Sequence, residues 1–225
     1  MPFVRCETGL IYFAHVPKCG GTAVEQYLRG RFGKLALQDG KFLMRPPRQR
    51  WSKSSPQHIT VADLEHLIPL EFFAMSFAVV RHPVDRLVSL FRYQRDIVRR
   101  IAPDTGFTPW LAALPEQFAD KPYALDNHPR PMNDFVPRDA RIFRLEDGLE
   151  PVSTWLDTLP GGRRAHQPII ERNSYAQKLA QKGHTPGPKV APTPADHARI
   201  AEIYGMDFER FGYEPTQSAG GEGTP

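Results

Sequence analysis

Lys18, His58 and Arg81 are the side chains of this sequence whose settings favour chemistry. Lys18 lies in His15-Val16-Pro17-Lys18-Cys19-Gly20-Gly21-Thr22, just ahead of two glycines. Glycines let a backbone curl closely around an oxyanion, and the free N–H groups and dipole of a following helix favour negative charge there. Lys18 adds a point charge and Thr22 a hydroxyl. Arg81 opens Arg81-His82-Pro83-Val84-Asp85-Arg86-Leu87-Val88-Ser89, in which a long cation and a short hydroxyl are placed to converge on one phosphate. His58, in Pro56-Gln57-His58-Ile59-Thr60, is an imidazole that can accept a proton near neutral pH without strong tuning.

The elements that must position these groups are two strand–turn–helix units. Leu10 to His15 is a short apolar, aromatic run bounded by Gly9 and Pro17, which reads as a buried strand. Thr22 to Phe32 follows as a helix, with Val24, Tyr27, Leu28 and Phe32 at three- and four-residue spacing. Glu25 falls three residues after Thr22, where a capping box would form. Phe72 to Val80 is apolar apart from Ser76, as expected of a strand buried on both faces of a parallel sheet. Pro83 then starts a helix expected to reach about Arg100, which places Ser89 about 9 Å along the axis from Pro83. Between the units, residues 41–57 hold Lys41, Arg45, Arg48, Arg50 and Lys53 without an acidic residue, and read as a solvated basic segment. Thr60 caps a short helix from Val61 to His66.

Further along, Ala140 to Leu145 reads as a third strand, and helices are expected through Val152–Leu159, Ser174–Lys182 and Thr193–Tyr204. Strands alternating with helices predict an α/β fold, a P-loop-like three-layer sandwich with a central parallel sheet flanked by helices. Residues 1–213 form one expected domain, and 214–225 a disordered tail.

The chain has 225 residues, 40% hydrophobic and 24% charged, which suits a soluble globular protein. A net charge of +4 agrees with an anionic ligand but does not separate a nucleotide from an acidic sugar or a nucleic acid. No apolar run approaches the roughly 20 residues of a membrane span, and the N-terminal stretch lacks the pattern of a targeting peptide. Cys6 and Cys19 make no disulfide framework, and no metal-ligand spacing is present. A cytoplasmic setting without a metal is expected.

Together the two units resemble the PAPS-dependent sulfotransferases (PAPS being 3′-phosphoadenosine 5′-phosphosulfate), especially the carbohydrate branch of the Golgi and its bacterial relatives. That family binds the 5′-phosphosulfate in a P-K-[ST]-G-[GST]-[ST] loop, which Pro17 to Thr22 matches except at Cys19. Its 3′-phosphate motif is Arg, one residue, Pro, then Ser eight positions after the Arg; Arg81, Pro83 and Ser89 fit. Ile203-Tyr204-Gly-Met-Asp207-Phe208-Glu-Arg-Phe211-Gly212-Tyr213 is similar to the end of that branch. The resemblance implies that Lys18, Cys19, Gly20, Gly21, Thr22 and Ala23 hold the phosphosulfate, and Arg81 and Ser89 the 3′-phosphate. It makes Lys18 the group that stabilises the leaving phosphate oxygen and His58 the base, as in the glycosaminoglycan 2-O-sulfotransferase-like members. A late loop, about 171–190 here, would cover the nucleotide.

Several readings stay open at this stage. Glu25 is an alternative base. Cys19, beside a lysine at a helix N-terminus, is placed for a lowered pKa, although nothing else suggests thiol chemistry. Arg163, Arg164, Arg172 and Lys178 join the basic segment as candidates for binding an acidic acceptor or the nucleotide. The acceptor implied by the resemblance is a carbohydrate hydroxyl, with no nucleic acid. The alternatives are a kinase-like P-loop phosphotransferase, opposed by a lysine that precedes the glycines, and a non-catalytic module binding polyanions.

Overall fold

The structure is a computed structural model in which residues 2–163, 167–170 and 174–215 are described. Its centre is a four-stranded mixed sheet in the order β1-β2-β3-β4, flanked by helices. β2 (Gly9–Ala14) runs parallel to β3 (Phe73–Val80), with Tyr12 opposite Ser76, and β3 runs parallel to β4 (Arg141–Arg144), with Val80 opposite Arg144. The expected all-parallel sheet needs one correction. Phe3–Cys6 forms β1, which pairs antiparallel with β2 and turns back through Glu7 and Thr8.

The C-terminal halves of β2 and β3 are buried, while Ala74 to Ser76 at the start of β3 are not. Phe13 stacks on Phe77 at 4.9 Å and Tyr12 on Phe73 at 4.9 Å, so the two central strands are joined by rings as well as by backbone bonds. Each such ring contributes about 1.5–3 kcal/mol when removed from water. That fixes the strand ends rigidly, and the loops leaving those ends are where ligands bind in open α/β sheets.

α1 (Gly21–Phe32) leaves β2 and buries Val24, Leu28 and Phe32, ending at Gly33 with φ 104°. Residues 42–58 contain short 3-10 turns rather than an unstructured stretch; Phe42, Ser54 and Ser55 are buried there, while Met44 and Trp51 face solvent. α2 (Val61–Glu65) starts as predicted, the Thr60 hydroxyl accepting from Asp63 N–H.

α3 (Pro83–Arg92) is shorter than the sequence suggests. Tyr93–Ile97 widens into a π-helical turn closed by Val98 N–H to Tyr93 O at 3.0 Å. Such turns cluster at functional sites, and sequence periodicity does not announce them.

The remaining helices are α4 (Phe107–Ala112), α5 (Leu114–Asp120), α6 (Glu150–Asp157), α7 (Tyr175–Lys182), α8 (Pro194–Ile203) and α9 (Gly205–Phe211). No helix among the described residues is long and apolar enough to cross a membrane. The expected tail lies, from residue 216 on, outside the described residues.

Candidate active site

The loop after β2 is shaped to leave its amides free. Lys18 takes φ 70° and Gly20 φ 78°, so left-handed residues alternate with their neighbours and turn the N–H groups inward. A left-handed lysine costs about 1–2 kcal/mol, strain that a bound ligand is one way to repay. The N–H groups of Lys18 to Thr22 donate to no protein acceptor among the described residues, and no side chain caps α1. The capping box expected at Thr22 and Glu25 is therefore absent. Ala23 offers no free amide, because its N–H donates to Gly20 O at 3.0 Å.

Cys19 departs further from expectation. Its thiol turns inward to Pro17 O at 3.7 Å, 1% of the residue is exposed, and burial pushes its pKa up to about 12. It contributes a backbone amide and no thiolate.

Glu25 has a different partner from the one expected. His15 Nδ1 lies 2.5 Å from Glu25 Oε1, and Gln38 Nε2 donates to Glu25 Oε2 at 2.5 Å. Burial alone would raise the Glu25 pKa, but the His15 charge and hydrogen bond outweigh it and hold it below the usual value. An ionised, doubly bonded carboxylate is a poor general base. The His15 ring fills the space beneath Gly21, where a Cβ would lie 2.2 Å from it.

Three cations meet around the loop. The Lys18 ammonium sits 4.2 Å from the centre of the Tyr93 ring, and that of Lys178 sits 4.9 Å from the same ring. Burial first, then the charges of Lys178 and Arg81, lower the Lys18 pKa to about 7. None of the three forms an ion pair among the described residues. Like charges that form no ion pair favour an anion, although Asp85 lies close enough to Arg81 to feel its charge.

Lys178 reaches this place because α7 docks on the π turn. Tyr175 donates to Asp96 Oδ2 at 2.5 Å, Arg92 stacks on Tyr175 at 3.9 Å, and Arg95 bridges Asp96 and Pro188 O. The late segment is thus placed over the loop from residue 174 on; residues 171–173, with Arg172, and Arg164 lie outside the described residues. Arg163 packs instead against Gly33, at the far end of α1. Ser89 lies half-buried on α3, and its hydroxyl bonds no protein group among the described residues.

His58 has a partner that sequence reading missed. Its Nδ1 lies 2.7 Å from Asp126 Oδ2, and Asp126 also accepts from Ser55 N–H at 2.6 Å and Ser55 Oγ at 2.7 Å. Burial would raise the Asp126 pKa, but the His58 and Ser55 hydrogen bonds more than offset it, so the carboxylate is ionised. An ionised carboxylate only accepts. His58 therefore carries its proton on Nδ1 and leaves the Nε2 lone pair open. Burial lowers the pKa of His58 itself, which keeps the imidazole neutral.

His128 neighbours both His58 and Tyr93. Its ring lies 4.6 Å from that of His58 and 6.1 Å from Tyr93, on which Lys18 rests. Burial first, then His58 and Lys18, push its pKa well below 6.5.

The segment bearing Asp126 and His128 is held by force. Leu125, Asp126 and Asn127 have φ of 52°, 60° and 63°, three left-handed residues in succession without a glycine. Asn127 donates to His58 O at 2.8 Å, tying the turn to the base. Buried Arg86 donates to His128 O at 3.1 Å and Arg130 O at 2.7 Å, while Asp207 accepts from the amides of Met132 and Asn133 at 2.8 Å each. Tyr204 donates to Pro129 O at 2.6 Å. The closing sequence pattern thus acts as scaffold for the turn that backs His58. Nothing local marks Asp126.

An α/β sheet with an amide-lined loop, a cation cluster and a carboxylate-backed histidine defines an enzyme that transfers an anionic group. The chain belongs to the sulfotransferase family, whose model matches residues 1–214. It is accordingly a transferase of sulfuryl groups with an acceptor substrate, and the kinase-like and purely binding alternatives fall away. Neither the curated proteins nor the solved structures gave a match.

Proposed function

We propose that the chain moves the sulfuryl group of PAPS to an acceptor hydroxyl, most consistent with a carbohydrate, by in-line displacement. The observation that carries this reading is a neutral, carboxylate-oriented His58 whose ring neighbours His128, with His128 in turn beside the Tyr93 ring on which the loop lysine rests. The free amides of Lys18 to Thr22 suit the 5′-phosphosulfate; Arg81, unpaired beside the loop, suits the 3′-phosphate together with Ser89. Cys19, Gly20 and Gly21 serve through backbone alone.

In the reaction the acceptor oxygen attacks sulfur and the bond from sulfur to the bridging phosphate oxygen breaks. His58 Nε2 takes the hydroxyl proton, while Lys18, charged once an anion is beside it, stabilises the leaving oxygen. Positioning and electrostatics supply most of the acceleration in such transfers. No step calls for a metal. The unpaired cations around Lys18 support a soluble anionic donor, and the exposed Trp51 on the segment leading to His58 supports a sugar acceptor, whose faces stack on aromatic rings.

A transfer screen with radiolabelled PAPS against acceptor pools tests this. Lys18→Ala and His58→Ala are expected to abolish transfer, and Arg81→Ala mainly to weaken binding of adenosine 3′,5′-bisphosphate. Near-normal turnover in His58→Ala would remove the base assignment.

A further inference from the structure

The transfer chemistry leaves one feature unused. His128 Nδ1 is a buried nitrogen with no hydrogen-bond partner. Such atoms are rare in native interiors, since leaving one unsatisfied costs about 1–3 kcal/mol. Beside it stand His58 and Asp126, and one ligand atom from each of the three residues lies within 4.8 Å of the others.

We propose that His58, Asp126 and His128 form a site for a divalent transition-metal ion of zinc type, and that its occupancy switches the base off. The donor set is two imidazoles and a carboxylate, as in tetrahedral zinc sites that keep one open position. Around the donors, the Ser55 amide and hydroxyl fix Asp126, Asn127 holds the His58 backbone, and Arg86 holds that of His128. Outer contacts of this kind orient metal ligands. The His58 side chain is 15% exposed, which gives the ion an approach.

Two adjustments are needed, because donors that lie within 4.8 Å of one another must also close to tetrahedral spacing. Metal–ligand bonds of about 2.0–2.2 Å in a tetrahedron separate donors by roughly 3.3–3.5 Å. Asp126 and His58 stand at 2.7 Å, so they must part by a little over half an ångström and release the shared proton. The nearby charges of Lys18 and Arg86 oppose a cation, so binding that a chelator reverses is expected.

Inhibition follows whichever His58 nitrogen is used, and this part rests on His58 being the base. Coordination at Nε2 takes the lone pair directly. Coordination at Nδ1 leaves a neutral imidazole only with its proton on Nε2, so the proton displaced from Nδ1 moves there and no lone pair remains. Either way the base that accepts the hydroxyl proton is lost.

The test titrates Zn²⁺ into the full chain against a chromophoric indicator and reads Co²⁺ absorption for tetrahedral nitrogen ligation. One equivalent is expected. His128→Ala and His58→Ala should each weaken binding beyond the about 10–100-fold typical of losing an outer-shell partner. His66→Ala, on the exposed end of α2, should leave it unchanged. Should His128→Ala fail to fold, judged by loss of adenosine 3′,5′-bisphosphate binding, His128→Gln takes its place. Stoichiometric binding that survives both His58 and His128 substitutions, or no binding at all, overturns the site. Zinc bound through these residues with transfer unimpaired keeps the site but refutes the switch and, with it, the base assignment. No zinc binding together with loss of transfer in His58→Ala overturns the metal site and leaves the base.

Discussion

Asp126→Asn separates the orienting carboxylate from everything else in the site. Asparagine is nearly isosteric but has one acceptor oxygen and one donor amide. Asp126 Oδ1 faces the Ser55 N–H at 2.6 Å, a donor that cannot rotate away, so the asparagine oxygen must stay there. The amide then faces His58 Nδ1 at the position where Oδ2 stood 2.7 Å away. An N–H pointing at Nδ1 forces that nitrogen to accept and moves the imidazole proton to Nε2. The lone pair that takes the hydroxyl proton disappears while the ring stays in place. A positioned general base contributes about 10²–10⁴ in rate, so kcat should fall by that factor, about 3–5 kcal/mol in the barrier. The loop with Lys18 is untouched, and the KM for the donor should stay within about twofold. Steady-state formation of adenosine 3′,5′-bisphosphate with an accepted acceptor reads both constants. Ser55→Ala is the control: it removes one neutral donor from Asp126, worth about 1 kcal/mol, and should cost less than tenfold. If Asp126→Asn retains kcat within threefold, the tautomer reasoning is wrong.

Other expectations follow from the loop and its cations. With the Lys18 pKa at about 7 in the free protein, donor binding at pH 8 should take up about nine-tenths of a proton, and affinity should fall as pH rises above 7, since the charged lysine is the binding form. Calorimetry of adenosine 3′,5′-bisphosphate in two buffers of different ionisation heat measures this; heats independent of buffer at pH 8 would contradict it. Lys178→Met removes the like charge that lowers the Lys18 pKa most, so proton uptake at pH 8 should shrink while donor affinity drops roughly tenfold. Gly21→Ala puts a methyl 2.2 Å from the His15 ring, which Glu25 and Phe13 hold in place. Overpacking of this kind costs about 1–3 kcal/mol, so the melting temperature should fall by roughly 2–12 °C and donor binding should weaken; an unchanged melting curve would show that His15 is free to move.

How much of this could be read in advance depended on the range of the interactions. The loop from Pro17 to Thr22 and the unit from Arg81 to Ser89 are local patterns, in which strand, turn and helix are written within a dozen residues. Thr60 and its helix were legible for the same reason. β1 was passed over because four residues, Phe3–Cys6, carry too little alternation to stand out from a terminus. Glu25 misled: its spacing from Thr22 suits a cap, but His15, ten residues back, was the better partner. Cys19 was read as a loop residue without thiol chemistry, and its side chain faces the core. Asp126 was invisible because its contacts with Ser55 and His58 span about seventy positions and its own neighbours follow no periodicity. The π turn that brings Tyr93 and α7 to the loop likewise arises from packing rather than from pattern.

The way Arg86, Tyr204 and Asp207 clamp residues 128–133 has a consequence for the order in which the molecule matures. The donor loop depends on β2, α1 and β3, all complete in the first hundred residues, and domains assemble as the chain leaves the ribosome. The turn that backs His58 is held by Ser55, His58 and Arg86 from the earlier chain, but its continuation at Pro129 and Met132 is tied down by Tyr204 and Asp207, about seventy-five residues later. A C-terminally clipped chain would therefore keep the loop after β2 while losing part of the hold on the turn at His58, so that under the proposed function donor binding would outlast turnover.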